Sequence, residues 1–209
     1  MPSRLLLLST SSLRIAPIQN KVGAFLADPT LRQILTTPEE DLHLRQIMDS
    51  GGVLIVNLAK GKIGEDSANL LGSLLVSTIG LAAFSRAEIA DNERRPFYLY
   101  LDEFQSFTTL SVANMTAELR KYGVGLTLAH QYMHQLDPDV RHAILGNAGT
   151  IISFRVGPED ATLLAREFAP VFEQEDILSL PNFRIYLKLM IDGMPTKPFG
   201  SATLLPQWN

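Results

Sequence analysis

FYLYLDEFQSF, residues 97–107, is the stretch on which the fold turns. Phe97 to Leu101 is a short, wholly apolar run of β-forming residues, and it leads directly into Asp102 and Glu103. Such a run predicts a strand buried in a sheet. Two carboxylates at the mouth of a buried strand are costly unless something compensates their charge.

Downstream the same alternation repeats. Val112 to Lys121 is helical in pattern, Gly123 stops it, and Val124 to Ala129 makes the next strand. A short helix from Pro138 to Leu145 precedes a strand from Thr150 to Phe154. Pro158 opens another helix, with Glu159 and Asp160 where negative charge suits the helix dipole. After a segment from Glu173 to Leu180, the chain alternates as a strand over Arg184 to Ile191. It turns at Asp192-Gly193 and returns near Ser201 to Leu204. Upstream, Glu93-Arg94-Arg95-Pro96 links to a long apolar helix from about Asp66 to Arg86. Before that lie the loop AKGKIGED (59–66) and the run VLIVNL (53–58), read as another strand buried on both faces. Gly51-Gly52 ends a short helix that Pro38-Glu39-Glu40 opens and that runs to about Met48. Ile18 to Leu35 is helical with a break near Pro29. Strand and helix thus alternate four times, which predicts an α/β fold, mostly a parallel sheet flanked by helices, closed by a C-terminal β-hairpin. In domain terms, 1–16 reads as an irregular N-terminal segment, 17–204 as the domain and 205–209 as a tail.

Composition narrows the function classes. The 209 residues contain no cysteine, which excludes disulfides and thiolate metal sites. The formal net charge of −4 gives no bulk attraction to nucleic acid. Ala68 to Phe84 is the most apolar stretch. Glycine, serine and threonine interrupt it, and it falls short of the roughly 20 apolar residues of a membrane span. It is read as a helix buried on most sides in a soluble core, and no segment is read as spanning a membrane. Leu5 to Leu8 is too short for a signal peptide.

If the crossovers are regular, three successive strands deliver polar residues to one edge, where open α/β sheets bind ligands. FYLYL ends in Asp102-Glu103, VGLTLA in His130-Gln131, and TIISF in Arg155. Asp102 could hold Mg²⁺ through water while Glu103 polarises an attacking water; an exposed acidic turn with Asp102 as a cap is the competing reading. Gln131 can donate and accept at once, which suits sensing a γ-phosphate, or it is a surface residue at a helix start. Arg155 offers a phosphate fork to a neighbouring subunit's nucleotide, or pairs with Glu159 or Asp160. His130 and His134 are read as structural. Gly61, Lys62 and Gly64 have the wrong spacing for a phosphate loop, and no GxxxxGK[ST] occurs.

FYLYLDEFQSF, LTLAHQYMHQL, ILGNAGTIISFRVGPEDATLLAREF and YLKLMIDGMPTKPF, in that order, resemble the type IV coupling proteins of conjugation and type IV secretion, the TraG/TraD group. That group is similar to the wider HerA–FtsK class of DNA-pumping ATPases, and VNLAKGKIGEDSANLLGSLLVS upstream fits it too. The resemblance covers about Pro17 to Leu204. It implies the C-terminal part of a RecA-like P-loop NTPase core, incomplete because the phosphate-loop strand is missing. The complete protein would be a homo-hexamer on the cytoplasmic face of the bacterial inner membrane. It would use ATP and Mg²⁺ to deliver DNA, expected to be single-stranded, with relaxase to secretion-channel proteins. Asp102-Glu103 matches the family's Walker B pair and Gln131 its sensor glutamine; Arg155 stands where an arginine finger is expected. With no membrane anchor and no phosphate loop, this chain is expected to be a truncated product, a cloned piece or half of a split domain, inactive alone. A non-catalytic α/β partner-binding module and a helicase-type ATPase piece are the alternatives.

Overall fold

The computed structural model describes residues 23, 26–36 and 42–204, so the readings for 1–16 and 205–209 lie outside the described residues. The chain divides into two compact units, residues 1–88 and residues 89–209.

The first unit is helical. It comprises α1 (Pro29–Thr36), α2 (Leu44–Ser50), α3 (Lys60–Ile63) and α4 (Glu65–Phe84), followed by a 3₁₀ turn over Ser85–Glu88. Gly51 closes α2 in the left-handed conformation, φ 75°, as a helix C-terminus favours. Glu65 and Asp66 occupy the first turn of α4, where they complement its dipole. Its hydroxyls do not compromise its apolarity, because Ser73, Ser77 and Thr78 each donate to the carbonyl four residues back at 2.8 Å. Burial follows a stripe through Ala68, Gly72, Val76, Ile79 and Ala83, while Leu74 and Leu81 are exposed. The expectation of a helix buried on most sides is corrected accordingly: 33% of its most apolar window is buried. By length and apolarity alone α4 could cross a membrane, a test that core helices also pass. Arg86, fully buried, places Nε 3.0 Å from Asp49 Oδ1, an ion pair by distance though not a hydrogen bond by angle.

The run VLIVNL forms no strand. Residues 53–58 are without regular structure, and Val53 and Ile55 are 86% and 88% exposed. An apolar run becomes a strand only where a neighbour takes its backbone hydrogen bonds, and no strand among the described residues pairs with it.

The second unit opens with β1 (Phe97–Leu101), α5 (Leu110–Leu119) and β2 (Val124–Leu128). β1 and β2 pair in parallel, from Phe97 opposite Val124 to Leu101 opposite Leu128. Thr109 caps α5 by accepting the Val112 N–H. Tyr98 lies over Gly125, where a Cβ would come within 2.9 Å of the ring. Beneath the other face, Phe104, Ala113, Leu136 and Val140 form a small core with Leu101 and Leu128. Leu136 and Val140 come from the start of α6 (Pro138–Asn147) and its approach, with Asp137 as cap and Pro138 in the first turn.

The chain continues through β3 (Ile151–Ser153), α7 (Pro158–Phe168), α8 (Gln174–Leu178), β4 (Arg184–Lys188), β5 (Met190–Ile191), β6 (Met194–Pro195) and β7 (Phe199–Ala202). The expected third parallel strand is corrected here. β3 pairs antiparallel with β4, and β4 with β7, in a sheet separate from β1–β2. β3 has only three residues, and β4 takes its paired edge. The predicted turn at Asp192 and Gly193 is present, both at positive φ, but it joins the short β5 and β6; the return expected near 201–204 is β7, which pairs with β4. The second core gathers Met133, Ile151, Ala161, Leu164, Phe168 and Ile177, with Tyr186 stacked on Phe172 at 3.7 Å between ring centroids. The unit is a mixed α/β structure with one parallel pair and antiparallel hairpins.

Candidate functional site

Because β1 and β2 are parallel and in register, their carboxyl ends finish level. Ala129 N–H donates to the Leu101 carbonyl at 2.9 Å, and Phe104 N–H donates to the Ala129 carbonyl at 3.2 Å. These two bonds bracket Asp102-Glu103 and tie it to the segment entering His130-Gln131. Three of the four predicted site residues, Asp102, Glu103 and Gln131, therefore follow the ends of adjacent strands in one sheet.

Asp102 is exposed, and its Oδ1 accepts the Glu103 N–H at 2.9 Å. Glu103 is half-buried and left-handed, φ 48° and ψ 41°. For a residue with a Cβ that conformation costs about 1–2 kcal/mol. It is held because the next residue, Phe104, is fully buried in the core beneath. A tight turn that a glycine would make without strain instead carries a carboxylate to the strand mouth.

Gln131 is exposed, and the backbone beyond it is pinned from a distant element. The Asp160 carboxylate, 3% exposed at the start of α7, accepts the Met133 N–H at 2.9 Å and the His134 N–H at 3.0 Å. Sequence reading took Asp160 for a dipole partner; its fastening role depends on tertiary burial and had no local signal. His130 is half-buried and meets the Phe104 ring edge-on, 5.2 Å between centroids. Desolvation pushes its pKa below the ordinary histidine value, with Asp160 opposing, and its Nδ1 is buried without a hydrogen bond.

Arg155 is not brought to this edge of the β1–β2 sheet. It follows β3 in the second sheet, is exposed, and donates to Asn182 Oδ1 at 3.0 Å. No ion pair joins it to Glu159 or Asp160 among the described residues, because Asp160 is committed to backbone N–H groups. Sequence reading did not single out Asn182 or its neighbour Phe183.

No cluster of three metal-ligating side chains exists among the described residues. One exposed aspartate, Asp102, is chemically the kind of single carboxylate that a Mg²⁺ keeping most of its waters takes, with Glu103 beside it. The donor set fits that ion.

Residues 96–178 match the family model described as the TraM recognition site of TraD and TraG. No curated protein sequence matches the chain. Among solved structures it is similar to the plasmid coupling protein TrwB in complex with a non-hydrolysable ATP analogue. That likeness has a TM-score of 0.67 at 17% identity, covering 88% of this chain and 48% of that one. TrwB with a non-hydrolysable GTP analogue matches equally, at 18% identity. The genome packaging NTPase B204 of Sulfolobus turreted icosahedral virus 2, in complex with AMPPCP, matches at TM-score 0.52 and 16% identity over 79% of this chain and 73% of that one. These likenesses show a shared fold. The chain spans about half the length of the coupling-protein structures it matches. Over residues 96–178 the chain thus matches a family model of TraD and TraG, and in fold it is similar to the plasmid coupling protein TrwB.

Proposed function

We propose that the complete coupling protein hydrolyses ATP at the β1–β2 edge and uses it to move DNA toward a type IV secretion or conjugation channel. The observation that carries this is the level ending of two parallel strands in Asp102-Glu103 and His130-Gln131, with Glu103 held in a left-handed turn. Glu103 orients and polarises the attacking water. Gln131 donates to the γ-phosphate and accepts from the same water, so that hydrolysis is reported along β2. Asp102 would hold Mg²⁺ through water, and the ion would supply charge neutralisation to the bound phosphates. In this reading the phosphate loop comes from sequence not contained in these 209 residues. Arg155 acts toward a neighbouring subunit of a homo-hexamer, which is consistent with its distance in topology from the β1–β2 edge. DNA in single-stranded form and relaxase are the expected cargo, at the cytoplasmic face of the inner membrane.

The test is steady-state ATP hydrolysis by the coupling protein with its phosphate loop present. Glu103→Gln is expected to lower the rate by about 100-fold or more while nucleotide binding persists. A normal rate in that variant would remove Glu103 from the chemistry.

A second role is favoured by the family description itself. Residues 96–178 correspond to a TraM recognition site, so this region also docks a relaxosome protein. Binding of a purified TraM-type partner to the 209-residue chain, without nucleotide, tests it; failure to bind in a chain of intact fold counts against it.

A further inference from the structure

Away from the β1–β2 edge, an open cavity of about 290 Å³ is lined by Phe154, Arg155, Pro181, Asn182 and Phe183. Its makeup is unusual for a solvated surface. Phe154 and Phe183 are 54% and 63% exposed, and neither ring stacks on another aromatic among the described residues. Burying either ring against the protein would gain hydrophobic free energy, yet both face the cavity. Phe183 also holds a backbone conformation, φ 64°, that disfavours a residue with a Cβ. The backbone is fixed there independently of the side chain, since the Phe183 carbonyl accepts the Thr203 N–H at 2.8 Å and the Thr203 hydroxyl at 3.2 Å. Arg155 is steadied by a single neutral acceptor, Asn182 Oδ1 at 3.0 Å, and no carboxylate pairs with it among the described residues. A guanidinium held in place but not neutralised keeps its charge and further N–H donors for an incoming anion.

We propose that this cavity binds one nucleotide unit, with its base stacked on Phe183 or Phe154 and its phosphate on Arg155. Exposed aromatic faces next to a positively charged fork are the combination that nucleotide recognition uses, because every base has a π-face and every linkage an anionic oxygen. The unit can come from a single strand of nucleic acid or from a free nucleotide. The site stands apart from Asp102, Glu103 and Gln131 and shares only Arg155 with the hydrolytic reading, so the phenylalanine variants test it independently of that reading.

Fluorescence anisotropy on the 209-residue chain tests it, with two probes. One is a labelled oligothymidylate of about 12 nucleotides, the other fluorescent anthraniloyl-ATP. Phe183→Gly is the decisive variant: it relieves the positive φ and leaves the bonds to Thr203 in place, so loss of binding is not loss of fold. It and Phe154→Ala are expected to weaken the bound probe about tenfold, whereas Phe183→Tyr retains binding. Arg155→Gln is expected to lower the slope of log affinity against log salt by about 0.7 for a strand. Response of the oligothymidylate alone assigns the site to a strand, and response of anthraniloyl-ATP alone assigns it to free nucleotide. Binding unchanged in Phe183→Gly and Phe154→Ala, or no binding of either probe, overturns the proposal.

Discussion

The parallel pair β1–β2 and the antiparallel trio β3–β4–β7, both within residues 89–209, differ in the core that each one covers. β1–β2 has a small core under one face and leaves Tyr98 and Tyr100 exposed on the other. The antiparallel trio sits by a larger core with an aromatic group of Phe168, Phe172 and Tyr186. Parallel pairs are ordinarily covered on both faces, whereas an antiparallel sheet tolerates one open face. The acidic turn Asp102-Glu103 is therefore built on the less buried half, and the stability of the unit rests more on the other. Asp160 bridges them: it starts α7 of the larger core and grips the backbone just past Gln131.

The largest expected effect falls on the larger core. Phe168→Ala should destabilise by about 4 kcal/mol in urea unfolding, and Phe104→Ala by about 3 kcal/mol. The reverse order would break the comparison. Asp160→Ala leaves two N–H groups without their acceptor and should cost about 2–3 kcal/mol. It should also raise amide exchange at Met133 and His134 before exchange in α7 rises; simultaneous loss would mean that the bridge does not separate the halves. Glu103→Gly should stabilise by about 1 kcal/mol, because glycine adopts positive φ without strain. Destabilisation there would show that the turn is not strained.

His130 gives the smallest effect and sharpens the comparison by pH. Its folded pKa lies below the unfolded value of about 6.5. The unfolded state therefore binds the proton first as pH falls. Stability is full above about pH 6.5 and declines on acidification until the lowered folded pKa is passed. His130→Phe should flatten that decline in Tm between about pH 7 and 5; an identical slope would mean that burial of this ring is not what acidification opposes.

How much of this was legible in the sequence depended on whether the deciding interactions were local. Phe97–Leu101, the acidic turn after it, Gly123 and the Asp192-Gly193 turn could all be read, because composition and turn chemistry act within a few residues. The run 53–58 was misread because apolarity supplies a strand's side chains but not its neighbour. β3 was assigned to the wrong sheet because nothing in three residues says which edge will pair with them. Asp160 and Phe183 escaped for the same reason: burial of one and exposure of the other are set by elements far along the chain.

Under the proposed function, Glu103 and Gln131 act as one unit across the level ends of β1 and β2. A double-mutant cycle on ATP hydrolysis, in the coupling protein with its phosphate loop present, measures this through Glu103→Gln, Gln131→Ala and the pair. Groups that share one step give strongly non-additive losses. A double variant about as slow as the slower single one is the expected outcome. Losses that multiply would contradict it, since they would mean two residues working independently at separate places.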